Sequence, residues 1–149
     1  TVKPDLGAAI EVLEQSARNA GRETPKRMYL GRICYTPELL EGQRATLSFV
    51  LMDSPPRVLQ SLGLDETAIA IVTRAARTND PSLVDPLVTE DLLRRYQIAG
   101  TREECAAEVA KLASEHHLHA VLIDALSPNL EANFAVIRDS LPIIKGTIT

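Results

Sequence analysis

Apolar residues recur along this chain at two spacings, and the alternation between them predicts a helix-rich α/β order. Leu6, Ala9, Ile10, Leu13, Ala17 and Ala20 fall on one face at helical spacing. Asp5 stands where an N-cap is expected, and Gly21 where a helix stops. Residues 28–35 read as a strand broken by Gly31 and Arg32; glycine inside a strand marks a close backbone approach or a bulge. Thr36-Pro37 opens the next helix, with Thr as cap and Pro at the first helical position. Leu40, Leu47, Val50 and Leu51 supply its apolar face, and Gly42 weakens it by roughly 1 kcal/mol relative to Ala. Residues 53–86 are predicted all-helical. Ser54-Pro55-Pro56 opens a short helix ending at Gly63, and Asp65 caps another carrying Ala68, Ile69, Val72 and Ala76. Asn79-Asp80-Pro81 and Asp85-Pro86 mark residues 78–86 as loop.

The stretch 88–126 is the most tightly specified. A short helix leads to a turn at Ile98-Ala99-Gly100. Thr101 and Glu104 then form a capping box: the Thr hydroxyl accepts from the Glu104 N–H, and the Glu carboxylate accepts from the Thr101 N–H. Glu103 and Glu104 also place negative charge in the first turn, where the helix dipole favours it. Ala106, Val109, Ala110 and Ala113 make a narrow stripe of small residues, suited to close packing on a sheet. Ala120-Val121-Leu122-Ile123 is a continuous apolar run, which predicts a parallel strand buried on both faces. Ser127-Pro128 starts a last helix with Leu130, Phe134, Ile137 and Leu141 on one stripe, and Pro142 ends it.

Charge and composition narrow the function classes. The net charge is −4 and Arg and Lys are dispersed, so neither nucleic acid nor an anionic membrane is an expected partner. No apolar run approaches the ~18 residues of a membrane span, and no signal peptide is present, so a cytoplasmic location is expected. Cys34 and Cys105 lie in different elements without metal-ligand spacing and read as two free thiols.

The segment Leu92-Leu93-Arg94-Arg95-Tyr96-Gln97-Ile98-Ala99-Gly100-Thr101-Arg102-Glu103-Glu104-Cys105 resembles the last repeat of the bacterial luciferase-like superfamily of flavin- and deazaflavin-dependent oxidoreductases and monooxygenases. It is most similar to the methylenetetrahydromethanopterin-reductase-like branch, with Arg102 where that pattern often has Pro. The resemblance extends back through Ser54-Pro55-Pro56 and 62–66. It implies a (β/α)8 TIM barrel, of which residues 28–35 and 120–123 are the seventh and eighth strands. Such a barrel needs about 250 residues and at least roughly 200. With 149 residues, the chain is therefore expected to be the C-terminal part of a longer enzyme. It would comprise a helix-strand-helix unit (1–52), a helical insertion (53–87) and a last helix-strand-helix unit (88–149), within a single domain or fragment. The implied activity is hydride transfer between FMN or deazaflavin (coenzyme F420) and a small-molecule substrate. The implied cofactor-phosphate site lies mainly on segments before this one, so little cofactor is expected on this chain alone, and its catalytic residues stay unassigned. Unpaired strand edges predict a homo-oligomer or self-association. The alternative is a non-catalytic helical interaction domain.

Barrel enzymes place their chemistry at the C-terminal ends of strands. The candidates for cofactor or substrate binding are therefore Cys34, Tyr35, Thr36, Asp124 and Ser127, with Arg32. Thr36 and Ser127 also read as helix caps and Asp124 as a solvated rim residue. An Arg in a buried strand needs an anionic partner, unless a bulge exposes it. His116, His117 and His119 lie close together in sequence, but successive helix-end positions diverge and no carboxylate matches their spacing, so no metal site is expected. No Gly-rich phosphate loop occurs.

Overall fold

The computed structural model describes residues 2–124 and 129–145. A 3-10 turn at Lys3–Asp5 leads into α1 (Leu6–Asn19), followed by β1 (Met28–Gly31) and β2 (Ile33–Cys34). Then come α2 (Pro37–Glu41), α3 (Arg44–Met52), α4 (Pro56–Ser61) and α5 (Glu66–Thr78), and two further 3-10 turns lead to α6 (Glu90–Tyr96). The order closes with β3 (Ile98–Ala99), α7 (Arg102–His116), β4 (Ala120–Ile123) and α8 (Leu130–Ile144).

Local chemistry explains most of the boundaries. Gly21 takes a left-handed φ of 60° and donates to Arg18 O, while Arg22 N donates to Ala17 O, so two terminal carbonyls of α1 are satisfied. Thr36, Asp65 and Thr89 each accept from a backbone N–H three residues on, at 3.4, 2.8 and 3.2 Å, which starts α2, α5 and α6. The capping box of α7 is complete, with Thr101 N donating to Glu104 Oε2 at 2.7 Å and Glu104 N to Thr101 Oγ1 at 3.2 Å. We expect Thr101→Ala to cost about 0.5–2 kcal/mol. Glu104→Ala should be non-additive with it, because the two side chains share one box. Chemical denaturation of the double-mutant cycle measures the coupling, and a coupling of zero contradicts the box.

Several expected boundaries move. Asp5 does not cap α1; its carboxylate is buried and accepts from Arg57 Nη1 at 2.6 Å. The predicted helix after Thr36 breaks at Gly42-Gln43 into α2 and α3. The buried stripe of α7 is Cys105, Val109, Leu112 and Ala113, rotated from the expected alanine stripe because Leu112 buries more apolar surface than Ala106 or Ala110. Pro142 lies inside α8, and the N-cap of α8 is Asn129, whose Oδ1 accepts from Glu131 N and Ala132 N. The expected Ser127-Pro128 start lies outside the described residues.

The strand pieces pair in parallel. β1 pairs with β4, Met28 opposite Ala120 and Gly31 opposite Ile123. Residues 98–99, expected as a turn, instead form β3, which pairs with β2 as Ile33–Ile98 and Cys34–Ala99. The two halves of one broken strand thus take different partners. Neighbouring strand residues point to opposite faces. Ile33 and Ile98 accordingly enter a core with Leu6, Tyr29, Cys105, Val109, Leu112, Leu118 and Ile143. Cys34 enters a second core with Leu47, Leu51, Leu59, Leu62, Val72 and Leu93, built mainly from α2–α6. The short β2–β3 ladder is the seam between the two cores. β4 is not buried on both faces as expected: Leu122 is 45% exposed, as are Met28 and Leu30 of β1 more strongly. Among the described residues, no helix is long and apolar enough to cross a membrane.

Candidate functional site

The register of β1 with β4 sets Arg32 and Asp124 side by side, one residue beyond the paired segment on each strand. Asp124 N extends the ladder by donating to Gly31 O at 3.0 Å. The Arg32 side chain then crosses to the neighbouring strand end, donating through Nε to Asp124 O at 3.1 Å and through Nη2 to Asp124 Oδ1 at 3.4 Å. Both side chains are largely shielded. The strand Arg does have an anionic partner, and that partner is the predicted strand-end aspartate.

The strand breaks at Arg32 because its backbone N–H leaves the ladder. It donates to Gln97 Oε1 at 3.0 Å, and Gln97 Nε2 donates to Gln43 Oε1 at 3.0 Å. Lys3 Nζ, which also meets Glu108, donates to Gln97 O at 2.8 Å. Both glutamines are buried. Gly31 lies just before the break, and a Cβ there would stand 2.7 Å from the Tyr29 ring. The close approach that glycine permits is thus to a side chain of its own strand. Burial is the main cause that raises the Tyr29 phenol well above its usual range, with Glu108 adding to it. Tyr29, Gly31, Tyr96, Gln97, Asp124 and Lys3 line a cleft of about 350 Å³.

The remaining candidates separate. Burial pushes the Cys34 thiol up to about 12, so at neutral pH it is a protonated apolar group and no nucleophile. Cys105 is likewise raised, to about 11, chiefly by burial. Thr36 serves as the cap of α2. Tyr35 turns to α8: its hydroxyl donates to Asp139 Oδ2 at 3.4 Å, and the Arg102 guanidinium lies 4.3 Å from its ring centroid. Arg102 also donates to Asp139 O at 3.0 Å. Arg138, and then Arg102, hold the Asp139 carboxyl below its usual range. Burial, then Asp139, raises the Tyr35 phenol. Cys34, Tyr35, Thr36, Gly100, Thr101 and Glu104 line a second cleft of about 400 Å³. Ser127 lies outside the described residues. The histidines diverge: His116 O accepts from Arg27 Nη1, His119 Nδ1 accepts from Arg27 N, and His117 ends α7 with φ 48°.

Sequence reasoning missed Gln43, Gln97 and Asp139. Gln97 sits between the end of α6 and the apolar pair Ile98-Ala99, and no pattern distinguishes it from a surface glutamine.

Gathered at the strand ends, these groups form one wall of a site. A flavin-sized ligand needs a pocket that buries most of its surface. Here the Arg32 charge is engaged by Asp124, and Arg102 by Asp139 and Tyr35. The residues present therefore do not make a complete flavin or deazaflavin site by themselves.

No protein-family model matches the chain. The 5,10-methylenetetrahydromethanopterin reductase of Methanopyrus kandleri is 23% identical over 132 residues, covering 85% of this chain and 38% of the relative. Its counterpart from Methanolobus tindarius is 23% identical over 133 residues, covering 85% of this chain and 41% of that one. The chain is a distant homologue of these reductases. The solved coenzyme F420-dependent tetrahydromethanopterin reductase from Methanopyrus kandleri matches with a TM-score of 0.64 at 21% identity, over 95% of this chain and 43% of that one. The family resemblance read at residues 92–105 is thus supported by sequence over most of the chain, and the helix-rich α/β fold by structure. The chain spans about two fifths of the length of the curated reductases it matches.

Proposed function

We propose that the chain is the C-terminal part of a deazaflavin-dependent oxidoreductase of the luciferase-like barrel type. In it, β1–β2 and β4 serve as the last two barrel strands, and their C-terminal ends form one wall of the active site. The observation that carries this reading is the parallel register of β1 with β4, which brings Arg32 and Asp124 together at one end of the sheet. The printed names of the relatives favour deazaflavin over FMN, and reduction over oxygen insertion. The bound cofactor would supply the hydride chemistry, and this chain would supply orientation and shielding from water. Arg32 holds the two strand ends in register, and Asp124 presents its carboxylate at that rim. The substrate in this reading is a small organic molecule.

Titration by fluorescence quenching tests the proposal. The 149-residue chain is expected to bind neither deazaflavin nor FMN tightly. The polypeptide restored with its upstream residues is expected to bind deazaflavin one to one, and Asp124→Ala should weaken that binding. Tight binding by the short chain would show that its own clefts are the site. An absence of deazaflavin binding by the restored polypeptide would remove the reading.

A further inference from the structure

α8 carries two apolar faces, and only one is covered. Val136, Ser140 and Ile143 are buried, with Ile143 in the core that holds Val109 and Leu112. Leu130 (69% exposed), Phe134 (68%), Ile137 (38%) and Leu141 (52%) form the other face. At 100° per residue this second stripe lies roughly 120° round the helix from the buried one. A surface helix normally shows one apolar stripe and a polar remainder. β4 repeats the situation: among the described residues it pairs with β1 only, and Leu122 stands exposed beside that open edge.

We infer that the open edge of β4 and the second stripe of α8 together seat one further parallel strand and its helix, supplied by a part of the same polypeptide outside these residues. The inference rests on the proposed reading of the chain as part of a longer enzyme. Parallel crossovers are right-handed, so the strand reached from β4 through α8 lies beside β4, and its helix beside α8. One βα unit therefore covers both uncovered surfaces at once. A second copy of the chain meets the need less well. Two α8 stripes face to face would bury four large side chains per copy, against the 20–30 residues a side of a stable interface. The solved reductase leaves ample material for such a unit, since this chain covers 43% of it.

Thiol labelling tests the assignment without reading cofactor binding. Cys34 and Cys105 are buried and give a slow background. Phe134→Cys, with Leu130→Cys as a second site, is expected to react quickly with a maleimide in the 149-residue chain. In the polypeptide extended upstream to the start of its gene, both should react roughly tenfold or more slowly at every protein concentration. Glu131→Cys, on the exposed flank, should stay fast in both and reports that labelling itself works. Fast reaction at positions 130 and 134 in the extended polypeptide overturns the assignment, as does a gene that encodes no upstream residues. Protection of the short chain that grows with its concentration makes a second copy the occupant and overturns it equally. A polypeptide that protects these positions and binds no deazaflavin would refute the proposed function and leave this inference standing.

Discussion

Gln97→Leu is expected to destabilise the chain by about 2–5 kcal/mol, because it strands two buried polar groups that each cost about 1–3 kcal/mol unpaired. The first is the Arg32 N–H, which loses its acceptor at Gln97 Oε1; the second is Gln43 Oε1, which loses its donor at Gln97 Nε2. Leu cannot replace either bond, and it places a branched side chain where the amide was flat. The damage is local in origin but wide in effect. Arg32 marks the point where the broken strand changes partner, and its side chain ties β1 to the end of β4 through Asp124. Urea denaturation of the variant measures the loss. Gln43→Leu alone should cost less, since it strands only the Gln97 amide. The double variant should cost less than the sum, because removing both partners leaves fewer orphaned groups. Strict additivity, or a Gln97→Leu loss below about 1 kcal/mol, would show that water replaces the lost bonds and that the network does not hold the break.

Raising the pH is expected to destabilise the chain well before its arginines titrate. The Cys34 thiol ionises near its model value of 9.0 when unfolded and near 12 in the folded chain, with burial as the main cause. Between those values the unfolded chain has released a proton that the folded chain retains, so stability falls as pH rises. The contribution is fully present below about pH 9 and lost by about pH 12. Its ceiling is on the order of 4 kcal/mol, at 1.36 kcal/mol per pH unit. Cys105, raised to about 11, and Tyr29, raised further still, act in the same direction. Urea midpoints measured from pH 8 to 11 should fall steadily, and Cys34→Ala should show a shallower fall from a lower starting point. Parallel slopes in the two proteins would mean that the thiol is reached by water and ionises alike in both states.

The sequence alone determined those features whose physics is local. The Thr101–Glu104 box, the Asp65 and Thr36 caps and the Gly21 stop each depend on residues within four positions of one another, and each forms as written. The apolar run at residues 120–123 specified a parallel strand, and the break at Gly31-Arg32 was visible because both residues interrupt an apolar run. The demand of a buried arginine for an anion pointed to Asp124 correctly, since desolvating an unpaired guanidinium is too costly to survive. Tertiary structure decided the rest. Asp5 had the chemistry of a cap, but an arginine 52 positions away offered its carboxylate a charge-assisted bond. Ile98-Ala99 read as a turn because two residues carry no period, and only the edge offered by Ile33-Cys34 makes them a strand. Gln43 and Gln97 meet across 54 positions, a proximity that no spacing rule encodes. On α8 the sequence marked an apolar stripe correctly, yet periodicity counts apolar residues without saying what covers them. Packing chose Val136 and Ile143 for the core and left Leu130, Phe134 and Leu141 at the surface.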